Sequence, residues 1–184
     1  MTGMLDRLHA DHVNIARLLD VLEEQCDLLQ RGETVDARML QDIFSYIAHH
    51  PDLYHHPSED LIFEVLRRCD PPSIESVDAL SLEHGTLTKA ANEILAILSA
   101  FSGQAMIPRD RLVGMLLDYI ARSRRHMSFE ESTVFPRARA MVSEQDWQAI
   151  ERGAPRKEDP LFGSTVSEQY RALYRMIMRE RREK

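Results

Sequence analysis

Cysteine is scarce in this 184-residue chain: Cys26 and Cys69 stand apart, with no CxxC pair. That argues against a disulfide framework and a cysteine-held zinc ion, and it fits a reducing, cytoplasmic setting. Long apolar runs are missing too. The longest uncharged stretch, Ile94 to Pro108, is too short to span a membrane and is interrupted by Ser99, Ser102, Gly103 and Gln104. The opening residues, MTGMLDRLHADH, reach acid and histidine at once, which leaves no signal-peptide core. Positive charge is in deficit, with 23 Lys and Arg against 30 Asp and Glu and a formal net charge of −7. A general nucleic-acid binder carries a basic face, so no nucleic-acid partner is expected. The arginine-rich stretch from Arg171 to Lys184 reads as a solvated helix face. Hydrolytic signatures are absent as well: there is no GxSxG, no HExxH and no glycine-rich phosphate loop.

What is present is helical pattern. Leu5, Leu8, His12, Ile15, Leu19 and Leu22 recur at spacings of three and four, one stripe of an α-helix, and Gly32 is placed to stop it. A second helix is expected from Val35–Asp36, carrying Leu40, Phe44 and Ile47 toward Pro51. It then resumes, or continues with a kink, to Arg68, because Pro51 and Pro57 each remove a backbone donor. Pro71–Pro72 breaks the chain. A third helix carries Val77, Leu80, His84, Leu87, Ala91, Ile94 and Leu98, and Gly103 with Pro108 marks the next turn. The fourth runs from about Arg109 to Met141 with Leu112, Leu116, Tyr119, Ser123, His126, Glu130 and Val134 along one side.

Beyond it, Ser143 to Asp146 resembles a capping box opening a short helix with Trp147, and residues 153–164 read as loop. A last amphipathic helix buries Val166, Tyr170, Leu173, Ile177 and Met176. Four long helices on short turns predict an all-α, antiparallel up-and-down four-helix bundle over residues 1–142. Residues 143–184 form a helical extension packed on its outside.

The two halves of the bundle repeat in chemistry as well as in hydropathy. His12 and His84 hold equivalent places at an offset of 72, each preceded by an acid, Asp11 or Glu83. His55 and Glu59 recur as His126 and Glu130 at an offset of 71. Each glutamate is followed by a further acid, Asp60 or Glu131, and then by Phe63 or Phe135. Residues i and i+4 share a helix face, about 5–6 Å apart at Cβ, so each HxxxE presents an imidazole and a carboxylate to one centre.

A lone histidine in an apolar stripe is most often a hydrogen-bonded core residue. Four in equivalent places point instead to metal, with His12, His55, His84 and His126 capping a pair of ions that Glu59 and Glu130 bridge. Asp60 and Glu131 read as solvated acids or as acids that orient a histidine. His9, His49 and His50 have no repeat partners and are expected at the surface or behind the ligands. His56 adjoins His55, and a helix turns about 100° per residue, so both rings cannot point alike. It reaches an ion only if Pro57 distorts the turn.

The motifs DH at Asp11–His12, YHHPSED at Tyr54–Asp60, EH at Glu83–His84 and HMSFEESTVFP at His126–Pro136 resemble the hemerythrin-like family, in its bacterial group of HHE cation-binding domains. The resemblance covers residues 5 to 141. With Asp146–Trp147 and the DPLFG of Asp159–Gly163, which resemble a C-terminal extension common in that group, it reaches about residue 175. It implies a non-haem centre of two Fe ions, with His12, His55, His84 and His126 as terminal ligands and Glu59 and Glu130 as bridges. Oxygen-carrying relatives have a further histidine one turn before the third-helix histidine, where this chain has Leu80. Either His56 supplies the fifth imidazole or a coordination position stands open.

That departure favours a site that reacts with, senses or gives up its metal over one that carries oxygen reversibly. The expected ligand is small: O2, NO or peroxide. Carboxylate-rich ferroxidase sites use Glu-x-x-His pairs, and none occurs here. The competing expectations are iron storage or donation, including repair of iron–sulfur centres, and a metal-dependent signalling module acting through the arginine-rich final helix.

Overall fold

The computed structural model describes residues 3–101 and 108–183, with side chains at 52, 101 and 179–183 left aside. Among these residues there is no strand, and the fold is all-α. Helix α1 (Gly3–Gln30) ends at Gly32, whose φ of 80° lets the chain reverse while Glu33 N–H donates to the Leu28 carbonyl at 2.9 Å. Helix α2 (Ala37–His50) starts under Asp36, whose carboxylate accepts from the N–H groups of Arg38 and Met39.

The expected kink is a π-helical turn, Pro51–His55, leading into α3 (His56–Cys69). Pro57 has no N–H for the Leu53 carbonyl, and the His56 N–H closes instead on the Pro51 carbonyl, five residues back. A short 3₁₀ turn, Pro71–Ser73, precedes α4 (Ile74–Phe101). The turn expected at Gly103 lies outside the described residues.

The fourth helix is likewise interrupted. Helix α5 (Arg109–Phe129) passes through a second π turn, Glu130–Val134, into α6 (Phe135–Met141), again with a proline, Pro136, directly after the closing residue. Helix α1 packs along α5, α2 and α3 along α4, and α4 along α5, which makes the antiparallel bundle. Ser143 caps α7 (Glu144–Gly153) by accepting from the Asp146 N–H, and α8 (Arg171–Glu183) closes the fold against α1 and α2.

The loop between α7 and α8 is anchored by Asp159. Its carboxylate accepts from the Tyr46 hydroxyl at 2.8 Å and from the N–H groups of Leu161 and Phe162. A side chain at Gly163 would stand 2.3 Å from the Asp159 carbonyl, so the turn admits only glycine there.

The apolar interior comes in two pieces. One is built on Leu18, Leu22, Phe44, Ile94 and Leu116 and takes in Leu161, Tyr170, Leu173 and Ile177 from the C-terminal segment. The other is built on Met4, Leu8, Phe63, Leu66, Val77 and Val134 and takes in Ile150. His12, His55, Glu59, His84, His126 and Glu130 come between these two sets along the helices, every one of them buried. No helix among the described residues is long and apolar enough to cross a membrane.

Candidate metal centre

Each of the long helices delivers its polar residues from a stripe that is otherwise apolar. Every member of the α4 stripe from Val77 to Leu98 is buried, as is every member of the α5 stripe from Leu112 to Val134. Hydrophobic packing of the stripes therefore carries His84, His126 and Glu130 inside. Glu59 and Glu130 are fully buried, and no oxygen of either carboxylate makes a hydrogen bond.

The carboxylates are oriented across the centre. Glu59 turns Oε1 toward His55 Nε2 (3.1 Å) and His12 Nε2 (3.4 Å), and Oε2 toward His84 Nε2 (3.3 Å). Glu130 turns Oε2 toward His12 Nε2 (3.4 Å), and Oε1 toward His126 Nε2 (3.3 Å) and His84 Nε2 (3.6 Å). Each glutamate thus offers one oxygen to the His12 side and the other to the His84 side.

Behind the imidazoles stands a ring of acids, each supplied by a neighbouring segment. Glu131 meets His12 Nδ1 at 2.9 Å, Asp11 meets His55 Nδ1 at 3.2 Å, Glu83 meets His126 Nδ1 at 2.9 Å, and Asp60 lies 3.5 Å from His84 Nδ1. A carboxylate behind Nδ1 puts the ring proton there and leaves the Nε2 lone pair facing inward. Phe135 stacks on His12 and Phe63 on His84, so each phenylalanine of the repeat fixes the plane of one ring.

The electrostatics follow from burial and proximity. Burial alone would lower the imidazoles, but the carboxylates reverse it. Glu130 and Glu59 raise His12 to about 10, Glu59 and Asp11 raise His55 to about 9, and Asp60 with the two glutamates raises His84 to about 11. Burial would raise Glu59, yet His55, His12 and His84 hold it well below the usual carboxylate range. His56 goes the other way: burial first, then the neighbouring His84 and His55, push it well down and keep it neutral. Two buried carboxylates thus require compensating positive charge, which protons or metal cations can supply.

Two groups of donors meet the demands of an ion. His12, His55 and Glu59 form one; His56, Glu59, His84 and His126 form the other, with ligand atoms in each within 4.8 Å of one another. Imidazole with carboxylate is a donor set for iron, manganese or zinc. The orphaned glutamate oxygens and the unpartnered Nε2 atoms of His84 and His126 are the atoms that such ions would satisfy.

Residues 3–138 match the family described as the hemerythrin HHE cation binding domain. The chain belongs to that family. No curated protein and no solved structure gives a match of its own. Membership brings a cation-binding bundle, and the histidine–glutamate cluster is where this hemerythrin-like chain can hold a metal.

The six residues nominated from the repeat lie together, and His56 joins them. Consecutive side chains on a helix diverge, and these two histidines do. Their divergence is used, because His55 faces His12 (Nε2 to Nε2, 3.0 Å) while His56 stacks on His84 with ring centres 4.1 Å apart. The backbone at this point is directed so that two neighbours straddle the centre.

Leu80 packs into the apolar cluster that contains Met4 and Phe63. Of the histidines without repeat partners, His9 is exposed and touches Glu131, His49 is exposed beside the Ser45 carbonyl, and His50 is buried against Tyr46 and Tyr54. The motifs contain Asp11 and Glu83 without their partners, and the 71-residue offset, which pairs His56 with Met127, is the sign in the sequence that the repeat is not exact.

Beside the cluster lies a chamber of about 30 Å3, lined on the metal-site side by His12, His55, His56 and His126 and otherwise by Ile15, Ile47, Leu87, Tyr119, Ser123 and Met127, among others. That is more than the ~10–15 Å3 that one water needs, so there is room for a molecule of a few atoms.

Proposed function

We propose that this hemerythrin-like chain is a non-haem di-iron protein that binds or senses O2, NO or peroxide. In this reading His12 and His55 hold one Fe ion, His56, His84 and His126 hold the other, and Glu59 and Glu130 bridge them. The observation that carries it is the splay of both buried glutamates, each with one oxygen on either side of the centre.

When bound, iron supplies reversible one-electron chemistry and a coordination position for a small ligand. The chain's own residues do the rest. The four acids behind Nδ1 orient the rings, the two phenylalanines hold ring planes, and apolar packing on both sides keeps bulk water out. The two-imidazole side has the position left over, and the adjoining chamber admits only a ligand of a few atoms. Free cysteines at Cys26 and Cys69 support a reducing, cytoplasmic setting. The bundle of residues 1–142 carries the centre, with residues 143–184 as its outer cover.

Anaerobic purification with iron, elemental analysis, and exposure to O2 and to NO test the reading. Two irons per chain and an optical spectrum that responds to at least one gas are expected. One zinc per chain, or a spectrum indifferent to both gases, would sink it. Chelator competition separates the reading from iron donation, since a donor loses its metal quickly and a resident centre holds it for hours.

A further inference from the structure

Hydroxyl-bearing side chains inside helices usually satisfy themselves on the carbonyl one turn back. Ser58 does so on Tyr54, at 2.6 Å, and Thr86 on Leu82, at 3.2 Å. Ser123 does not. It sits in α5 at 4% exposure, and its Oγ makes no well-formed hydrogen bond, only a weak contact with the Tyr119 hydroxyl one turn back. It lines the small chamber, one helical turn before His126 on the same face. Tyr119, one turn earlier still, lines the chamber as well; four histidines and Thr88 form its other polar wall, and Ile15, Ile47, Leu87 and Met127 are on its apolar side. A buried hydroxyl with only a marginal contact is costly, and Ser123 faces the space beside the histidine cluster, where a small acceptor can complete its bonding.

We propose that Ser123 donates a hydrogen bond to the small ligand held in the chamber, and that this bond makes the site rank ligands by their capacity to accept one. The inference rests on the reading above that a small ligand binds at the His12–His55 side. Its content is a specificity: anionic, strongly accepting ligands are retained, and weak acceptors such as NO gain little. Ser123 is a positioning residue and needs no contact with the metal itself.

The test compares wild type, Ser123→Ala and Ser123→Thr, all iron-loaded, with azide as the charged acceptor and NO as the weak one. Ser123→Ala is expected to keep two irons per chain, to bind azide about tenfold more weakly or worse, and to bind NO within about threefold of wild type. Ser123→Thr, which restores the donor, recovers azide affinity. Metal-free Ser123→Ala is expected to melt close to wild type, because the hydroxyl loses only its weak contact with Tyr119. Equal azide affinity in wild type and Ser123→Ala at full iron content would overturn the proposal and leave the di-iron reading standing. So would a parallel loss of both ligands with a lowered melting temperature, which would mark a structural role. A wild type that binds two irons but neither azide nor NO would overturn the ligand-binding reading, and this proposal with it.

Discussion

The two halves of the bundle carry the same helix-with-histidine, helix-with-HxxxE pattern, yet their contributions to the centre differ. Behind His12 the acid is Glu131, behind His84 it is Asp60; behind His55 it is Asp11, behind His126 it is Glu83. To this level the halves match: the first-helix histidine of each takes its acid from the other half, and the HxxxE histidine of each takes its acid from its own half. The symmetry then breaks in the imidazole set. The first half has His56, stacked on His84; the second has Met127 at the equivalent offset, facing the chamber.

The π turns break it too, since one ends just before His56 and the other begins at Glu130. The comparison teaches that the repeat gathers two sets of donors around a pair of shared carboxylates. A histidine-for-methionine difference then makes the two sets unequal, two imidazoles against three.

The largest expected effect comes from removing what the halves share. Glu59→Ala and Glu130→Ala each take away a carboxylate that spans the centre, and elemental analysis should find no more than one iron per chain. Next, stripping iron with a chelator should lower the melting temperature by on the order of 10 °C, because the buried carboxylates lose their compensating cations.

The asymmetry itself is tested by exchanging its two residues. His56→Met should cost iron on the three-imidazole side. Met127→His should retain two irons while quenching the spectral response to O2, NO and azide. A Met127→His protein that still responded fully would overturn the proposal that small ligands bind on the two-imidazole side.

Smaller effects are expected in the ring of acids. Glu83→Ala, which removes a 2.9 Å partner of His126, should weaken iron binding by about 10–100-fold, measured by chelator titration. Asp60→Ala should do less, because Asp60 is half exposed and stands 3.5 Å from His84. If Asp60→Ala matched Glu59→Ala, the register of the α3 ligands would be wrong.

The smallest concerns a tie between the halves, where Arg137 of α6 donates to the buried Asp70 at the end of α3. Arg137, with help from Ser73, holds the Asp70 carboxyl below its ordinary value. The resulting stability is present above the ordinary carboxylate range and is lost as pH falls through the lowered value. Asp70→Asn should therefore melt slightly below wild type at neutral pH and converge with it in acid.

Much of this was legible in the residues. The apolar stripes placed the helices, because a helix buries whichever face is apolar, and the stops at Gly32 and Pro71–Pro72 follow from backbone chemistry. The nomination of His12, His55, Glu59, His84, His126 and Glu130 came from the same stripes, since a polar residue in a buried row travels inward with its neighbours. Other features depend on contacts between distant segments. Whether His56 turned in or out rested on how two prolines redistributed the carbonyls between Pro51 and Pro57, and on the ring of His84 waiting across the bundle. The partners of Asp11 and Glu83 lie on other helices, at separations that no local spacing encodes.

The repeat, then, determined by itself that four imidazoles and two carboxylates would face one another, because periodicity and burial act on each helix separately. Only the tertiary structure decided that the carboxylates span the centre, that His56 rather than Leu80 stands beside His84, and that a small chamber opens against Ser123. Those are properties of the space between helices, set by how side chains from all four fill it.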